Sequence, residues 1–354
     1  MIKADLLSMN QEEIMALVKG WSWPTYRGQQ IFTWLHNKGV SDFSQYSNIP
    51  LAQREELAYR AYIAWPGIIN SSRSAAGDTI KLLLSLADGE TIEMVLMLYK
   101  RKNSRDRATC CISTQTGCAM ACAFCATAQN GPGRNLSAGE IVGQVLVAAD
   151  FARQRGFNAI SNIVYMGMGE PLLNLDNVKK SLLILNNPQG QNIGMRRITV
   201  STCGLVPEIY QLADWQQQLS LAVSLHAAND DKRAAIMPIA KKYRIKELLE
   251  ACRYYKEKTG RRITYEYALF AGINDSREDA YELGALLAGE DCLLNIIPAN
   301  PVPKTGFLPS GVEVIKDFCR IVESFAITVY QREARGVDIG AACGQLSQRQ
   351  KMEV

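Results

Sequence analysis

Histidine is scarce in this chain: His36 and His226 are the only two. That shortage excludes histidine-rich metal sites and argues against a zinc enzyme built on paired imidazoles. Long apolar runs are missing as well. No window approaches about 18 uninterrupted apolar residues, so no membrane-spanning helix is expected. The opening MIKADLLSMNQEEIMALVKGW has no basic leader followed by an apolar stretch, so no secretory signal is read there. Strong charge of either sign is absent. A formal net charge of +4 permits a nucleic-acid partner without requiring one. No repeat of fixed period and no low-complexity tract interrupts the sequence.

What is present is enough apolar material for a large core: 354 residues, 47% of them hydrophobic. Cysteine is abundant, and its placement is uneven. Of ten cysteines, five fall in CCISTQTGCAMACAFCATAQ, from Cys110 to Gln129. A disulfide scaffold would be shorter and would spread them out. With no leader, a reducing cytoplasmic setting is expected, where clustered thiols are more often ligands or catalysts than bridges.

Residues 1–75 are read as a small helical accessory unit, its helical pattern running from Asp5 to about Gly67. NQEEIMALVKGW offers Asn10 as a cap before helically spaced apolar residues, and GQQIFTWLHNKG repeats the pattern. Trp21, Trp23, Phe32 and Trp34 are expected to form its core. The period changes near Gly77. DTIKLLLSLADGETIEMVLMLY predicts a hairpin turning at Asp88-Gly89, and residues 76–106 form a hairpin and linker.

Across 107–335, short β runs alternate with helical stretches: ISNIVYMG, RRITVST, LSLAVSLH, RRITYEYALF and CLLNIIPA among the strands, SAGEIVGQVLVAADFARQ and RIKELLEACRYYKEK among the helices. Ser137 with Glu140 makes a capping box. Repeated β-then-α units imply a parallel sheet, and about six of them imply a partial (β/α)6 barrel of the α/β class. The chemistry of such a barrel gathers on the loops after its strands. Residues 336–354 form a carboxy-terminal segment that carries Cys343.

Cys118, Cys122 and Cys125 have the spacing C-x3-C-x2-C. Three thiolates on one loop can each bind an iron of a cubane and leave the fourth iron open. Zinc is the plainer alternative, with Cys110, Cys111 or a distant cysteine as fourth ligand. Phe124 is placed to shield a cluster from water.

At this point the chain resembles the radical S-adenosylmethionine enzymes, whose signature is CxxxCxxC, and within them the RlmN/Cfr family of RNA adenine methyltransferases. The resemblance covers nearly the whole chain: IEMV, CISTQTGCAMACAFCATAQ, RNLSAGEIVGQV, YMGMGEPLLN, RRITVSTCG, AVSLHAANDDKR, PIAKKY, NIIPANPVP and RGVDIGAACGQL. It implies a [4Fe–4S] cluster on Cys118, Cys122 and Cys125, and two S-adenosylmethionine molecules per turnover. Cofactor contacts carry over to Gly169 and Glu170 of GMGEP, to Ser201, to Ser224, Leu225 and His226, and to Asn300. Read singly, Glu170 is a solvated strand-end glutamate, His226 a satisfied core histidine and Asn300 a turn residue.

The resemblance also explains the far cysteine. Carbon C2 of adenine is too electron-poor to attack a sulfonium methyl, whereas a thiolate does so readily. Cys343 matches the residue that accepts the methyl group and passes it, through a carbon radical, to the adenine ring. Cys111 matches the residue that releases the protein–RNA link by forming a disulfide with Cys343. Cys110 lies beside it, and neighbours in a strand face opposite ways. Glu93 matches the carboxylate that takes the adenine proton; its plainer reading is an exposed hairpin carboxylate. Cys203, Cys252, Cys292 and Cys319 are read as small core residues.

The implied partners are 23S rRNA in its peptidyl-transferase region, tRNA next to the anticodon, and an electron donor such as flavodoxin or ferredoxin. No membrane partner is expected, and a monomer is. Phosphate contacts are expected among Arg101, Lys102, Arg105, Arg107, Lys241, Lys242, Arg244, Arg332 and Arg335. The accessory unit of residues 1–75 is expected to bind RNA as well. Rival readings are methylation at C8 of the same rRNA adenine, as in Cfr, and a non-catalytic metal-bearing RNA-binding protein. CATAQNG and AGEIVGQV favour the RlmN branch, while Pro132 stands where an aromatic residue is expected.

Overall fold

The computed structural model describes residues 3–100, 104–303 and 305–347; Arg101 and Lys102 of the phosphate candidates lie outside them. The chain opens with β1 (Ala4–Asp5). Helix α1 (Gln11–Gly20) starts at Asn10, whose side chain accepts from the Glu13 amide while Glu13 reaches back in a capping box. Next come α2 (Tyr26–Phe32), prolonged by one wider turn at Thr33–Asn37, and α3 (Leu51–Arg60). Strand β2 (Ala61–Tyr62) pairs in parallel with β1 and closes the unit on itself. Phe32 and Trp23 are buried in its core, and Trp21 and Trp34 pack against it.

The helical unit ends at about Gly67, where the sequence placed its end. Gly67–Arg73 is strand β3. It is almost entirely exposed and kinks between Ile68 and Asn70, so it lacks the alternation that announces a half-buried strand. The hairpin forms where its turn residues place it, with β4 (Thr79–Ser85) and β5 (Thr91–Tyr99) joined through Gly89 at φ +86°. It extends the barrel's own sheet, because β5 lies antiparallel to β6 (Arg107–Cys111).

From β6 onward every pairing is parallel: β7 (Asn162–Tyr165), β8 (Ile198–Thr202), β9 (Ser220–Ser224), β10 (Ile263–Leu269), β11 (Cys292–Pro298) and a short β12 (Thr328–Gln331). The strands form one sheet in the order β12 to β3. The helices between them are α4 (Ala126–Gln129), α5 (Ala138–Arg153), α6 (Leu175–Asn186), α7 (Val206–Asp214), α8 (Asp230–Ile236), α9 (Ile245–Thr259), α10 (Arg277–Leu287) and α11 (Val312–Glu323). The result is a partial barrel of six βα units with a seventh, short parallel strand at the rim.

Two tethers position the site. Arg134, just ahead of the Ser137–Glu140 capping box, holds Glu140 with both terminal nitrogens and Asp88 with Nε at 2.6 Å, which fastens the hairpin turn to α5. The segment after β12 then returns across the barrel mouth. Arg335 pairs with Asp78 at 2.7 Å, and Asp338 accepts from the Ala75 amide at 2.8 Å. Among the described residues, no helix is long and apolar enough to cross a membrane.

Candidate active site

The long loop after β6 carries Cys118, Cys122 and Cys125, and all three line one pocket at the strand ends. The loop is held at both ends: the Cys118 amide donates to Gly131 O at 2.9 Å and the Ala123 amide to Ile236 O at 2.9 Å. Phe124 meets His226 edge-on at 5.0 Å and leans on Phe270 at 5.1 Å, giving the pocket an apolar wall. None of the three thiols is in a disulfide. Burial pushes the Cys118 thiol up to about 12 and the Cys122 thiol higher still. A thiolate in that wall is therefore costly unless a cation takes up its charge.

Among the described residues, no three His, Cys, Asp or Glu side chains are grouped to hold a single metal ion. The three thiols line one pocket. Zinc draws its ligands to one centre, whereas a cubane gives each thiolate its own iron. The donor set fits a [4Fe–4S] cluster with one iron left open.

The turn after β7 supplies Gly169 and Glu170. Gly169 has φ +96°, and a Cβ there would lie 2.5 Å from the Gln115 Cβ and 2.8 Å from the Gln115 nitrogen. Gly169→Ala combines a strained backbone with a contact that cannot yield. It is expected to cost about 1–3 kcal/mol of local strain; thermal unfolding of the variant beside wild type measures it. Glu170 is buried, not solvated. Its oxygens accept from Leu172 N at 3.0 Å and Cys203 N at 2.8 Å. Burial raises its carboxyl above the usual range against these opposing bonds. Glu170 lines the cysteine pocket, and a carboxylate there can accept from a cationic donor.

Ser201 Oγ donates to Tyr165 O at 2.6 Å at the pocket edge, and Ser224 lines the same wall. His226 has φ +55° and accepts at Nδ1 from Ala268 N at 2.9 Å. Burial lowers its pKa to about 3, so the ring is neutral. Leu225, between them, is fully buried and donates its amide to Glu266 O; Glu266 lines the pocket and Leu225 does not. Asn300 Nδ2 donates to Cys343 O at 3.1 Å and fixes the tail.

Cys343 is exposed and sits at a junction. It lines the pocket of the three cysteines and also a second cavity, whose wall includes Cys111 at the end of β6. Burial pushes the Cys111 thiol up to about 12. Cys110 is fully buried on the other side of the strand. Arg332 lines both cavities and faces Glu266 at 3.6 Å. It belongs to the site interior, where the sequence placed it among phosphate contacts. Arg335 is paired with Asp78, and Arg244 with Asp230 at 3.5 Å.

Glu93 stands apart from the cysteine pocket. It is buried, pairs with Lys81 at 3.0 Å and accepts from the Ser347 amide at 2.9 Å, which overturns the exposed-carboxylate reading. The tail is the partition: Gly344 and Leu346 line the cysteine pocket, while Gln345 and Ser347 line the cavity that holds Glu93. Cys203 is the small core residue the sequence suggested, in an apolar cluster, and it lines the cysteine pocket as well, which sequence reading missed. Its place directly after β8 was the available signal.

A model of the Radical SAM superfamily matches residues 112–284, and one of the ribosomal RNA large subunit methyltransferase N-terminal domain matches residues 4–63. A probable dual-specificity RNA methyltransferase RlmN of Clostridium beijerinckii is 48% identical over 97% of this chain and 94% of its own. One of Moorella thermoacetica is 47% identical over 97% of each. The crystal structure of a radical SAM methyltransferase from Sphaerobacter thermophilus superposes with a TM-score of 0.93 at 44% identity, covering 97% of this chain and 99% of that one.

Proposed function

This chain belongs to the RlmN family of radical SAM RNA methyltransferases, and on that premise we propose that it methylates C2 of an adenine in the peptidyl-transferase region of 23S rRNA and of an adenine beside the anticodon of tRNA. The observation that carries the proposal is the position of Cys343, which faces the three-cysteine pocket on one side and Cys111 on the other.

The Cys343 thiolate attacks the methyl of S-adenosylmethionine. A carbon–sulfur bond forms on Cys343 as the bond to the sulfonium breaks, and S-adenosylhomocysteine leaves. Gly169, Glu170, Ser201, Ser224, His226 and Asn300 bind and orient the cofactor from the strand ends, while Phe124 and Phe270 exclude water. A [4Fe–4S] cluster on Cys118, Cys122 and Cys125, when bound, supplies one electron to the sulfonium of a second S-adenosylmethionine, which is the source of the radical chemistry. One hydrogen atom of the Cys343-bound methyl leaves on the adenosyl fragment of that second molecule as 5′-deoxyadenosine, with methionine as the other product; the remaining CH2 radical adds to adenine C2, and the adduct returns one electron to the donor couple as it loses the C2 proton. Glu93 takes the C2 proton, for which the Ser347 amide must first release it. Cys111 then attacks the Cys343 sulfur as it gives up its proton, beside Arg332, whose charge opposes the burial that raises its thiol. A disulfide forms, the carbon–sulfur bond breaks, and the carbon keeps the electron pair and takes up a proton as the methylated RNA departs.

The test is nucleoside analysis of rRNA and tRNA from cells lacking the gene and from cells carrying it. The expected result is 2-methyladenosine in both RNAs only when the gene is present. Gene-dependent 8-methyladenosine would assign Cfr-type regiochemistry, and RNA unchanged by the deletion would defeat the proposal.

A further inference from the structure

Arg233, on α8, is fully buried, yet its hydrogen bonds run to backbone carbonyls instead of a carboxylate. Nε donates to Leu225 O at 3.1 Å, and Nη2 to Cys203 O at 2.7 Å and Ser224 O at 3.1 Å. Nη1 is buried without a partner. Asp230, one turn back on the same helix, is already engaged by the Ile245 amide at 2.8 Å and by Arg244 at 3.5 Å. A full positive charge in a dry site, hydrogen-bonded only to carbonyl dipoles and met by Asp230 only through space, is costly. Such a cost points to an anion that the bare chain does not supply.

The surroundings say which anion. Cys203, whose carbonyl Arg233 grips, packs in one small apolar cluster with Cys122 and Phe124. The Ala123 amide, inside the cysteine loop, donates to Ile236 O on the helix that carries Arg233. The guanidinium is thus strapped behind the cysteine loop, outside the lining of the cofactor pocket. Burial lowers its pKa, and thiolate charge on Cys203 or Cys122, together with the Asp230 carboxylate, opposes that shift.

We propose that Arg233 is the fixed counter-charge of the iron–sulfur cluster held by Cys118, Cys122 and Cys125, and that it makes the cluster easier to reduce. The inference rests on the cluster reading above. Three thiolates leave such a cluster net negative, and each electron adds to that charge. A permanent cation in a low-dielectric wall favours the reduced state, and net charge is one of the levers that set such potentials. The electron comes from a low-potential one-electron donor: a reduced flavodoxin or ferredoxin in the cell, dithionite in a titration.

The experiment uses the full chain, reconstituted without oxygen, as wild type, Arg233→Lys and Arg233→Gln. Iron and sulfide content, circular dichroism and a dithionite titration followed by electron paramagnetic resonance are recorded without S-adenosylmethionine. The glutamine variant is expected to keep its iron and fold but to reduce at a lower midpoint potential. The lysine variant is expected to titrate close to wild type. A glutamine variant that holds its cluster and titrates with wild type overturns the inference alone. Equal loss of fold and iron in both variants also overturns it, because the side chain is then only a strap. A wild-type protein without a cubane signal defeats the cluster reading, and the inference with it.

Discussion

Cys343→Ala eliminates methylation of RNA, with a loss of more than about 10³-fold expected when the nucleophile of a covalent mechanism is removed. The reason lies in the target atom. On the proposed assignment the target is an electron-poor ring carbon, which cannot take the methyl directly, so without a sulfur relay the reaction has no first step. The structure gives little scope for substitution by another thiol. Cys203 lines the same pocket, but it is buried, and the Glu170 carboxylate beside it works with burial to hold the thiol well above its ordinary range. Cys343 is the exposed cysteine among the described residues. Filter-bound label from methyl-labelled S-adenosylmethionine measures the effect on protein-free rRNA. Retained activity in the alanine variant would mean that the methyl travels another way.

Cys111→Ala has an equally large and different consequence. Methyl loading of Cys343 persists, and so does attack on the adenine, but release fails. A covalent protein–RNA adduct is expected to build up to near one per enzyme while free methylated RNA stays near background. Cys111 shares a cavity with Cys343, whereas Cys110 faces the core and cannot stand in for it without turning the strand over. Cys110→Ala is accordingly expected to leave turnover intact, so the pair of variants separates a resolving thiol from a merely nearby one. Denaturing gels of the labelled RNA display the adduct. Free product from Cys111→Ala at the wild-type rate would contradict the assignment.

Much of this was legible in the residues. The hairpin appeared where Asp88-Gly89 predicted it, and the strands of the barrel where apolar β runs alternated with capped helices. Those signals are local, set by turn chemistry and periodicity. What escaped depended on distant contacts. Strand β3 is an exposed edge, so burial imposes no pattern on it. Helices α7 and α8 are short, at nine and seven residues, and offer little periodicity to detect. The three cysteines announced themselves by spacing. The burial of Glu93, by contrast, depends on Lys81 across the hairpin and on Ser347 of the tail, 254 positions away. Arg332 reads as one more surface cation until β12 turns it inward toward Glu266. Arg233 resembles an ordinary helix-end arginine in the sequence, and only its burial reveals the missing counter-charge.

The tail is where the central claim is most exposed to test. Wild-type protein, reconstituted and incubated with S-adenosylmethionine, should be digested and its Cys343-bearing peptide weighed. The account predicts a gain of about 14 Da on that cysteine, the mass of one methyl replacing hydrogen. Methylated RNA formed while that peptide never carries the added mass would contradict it.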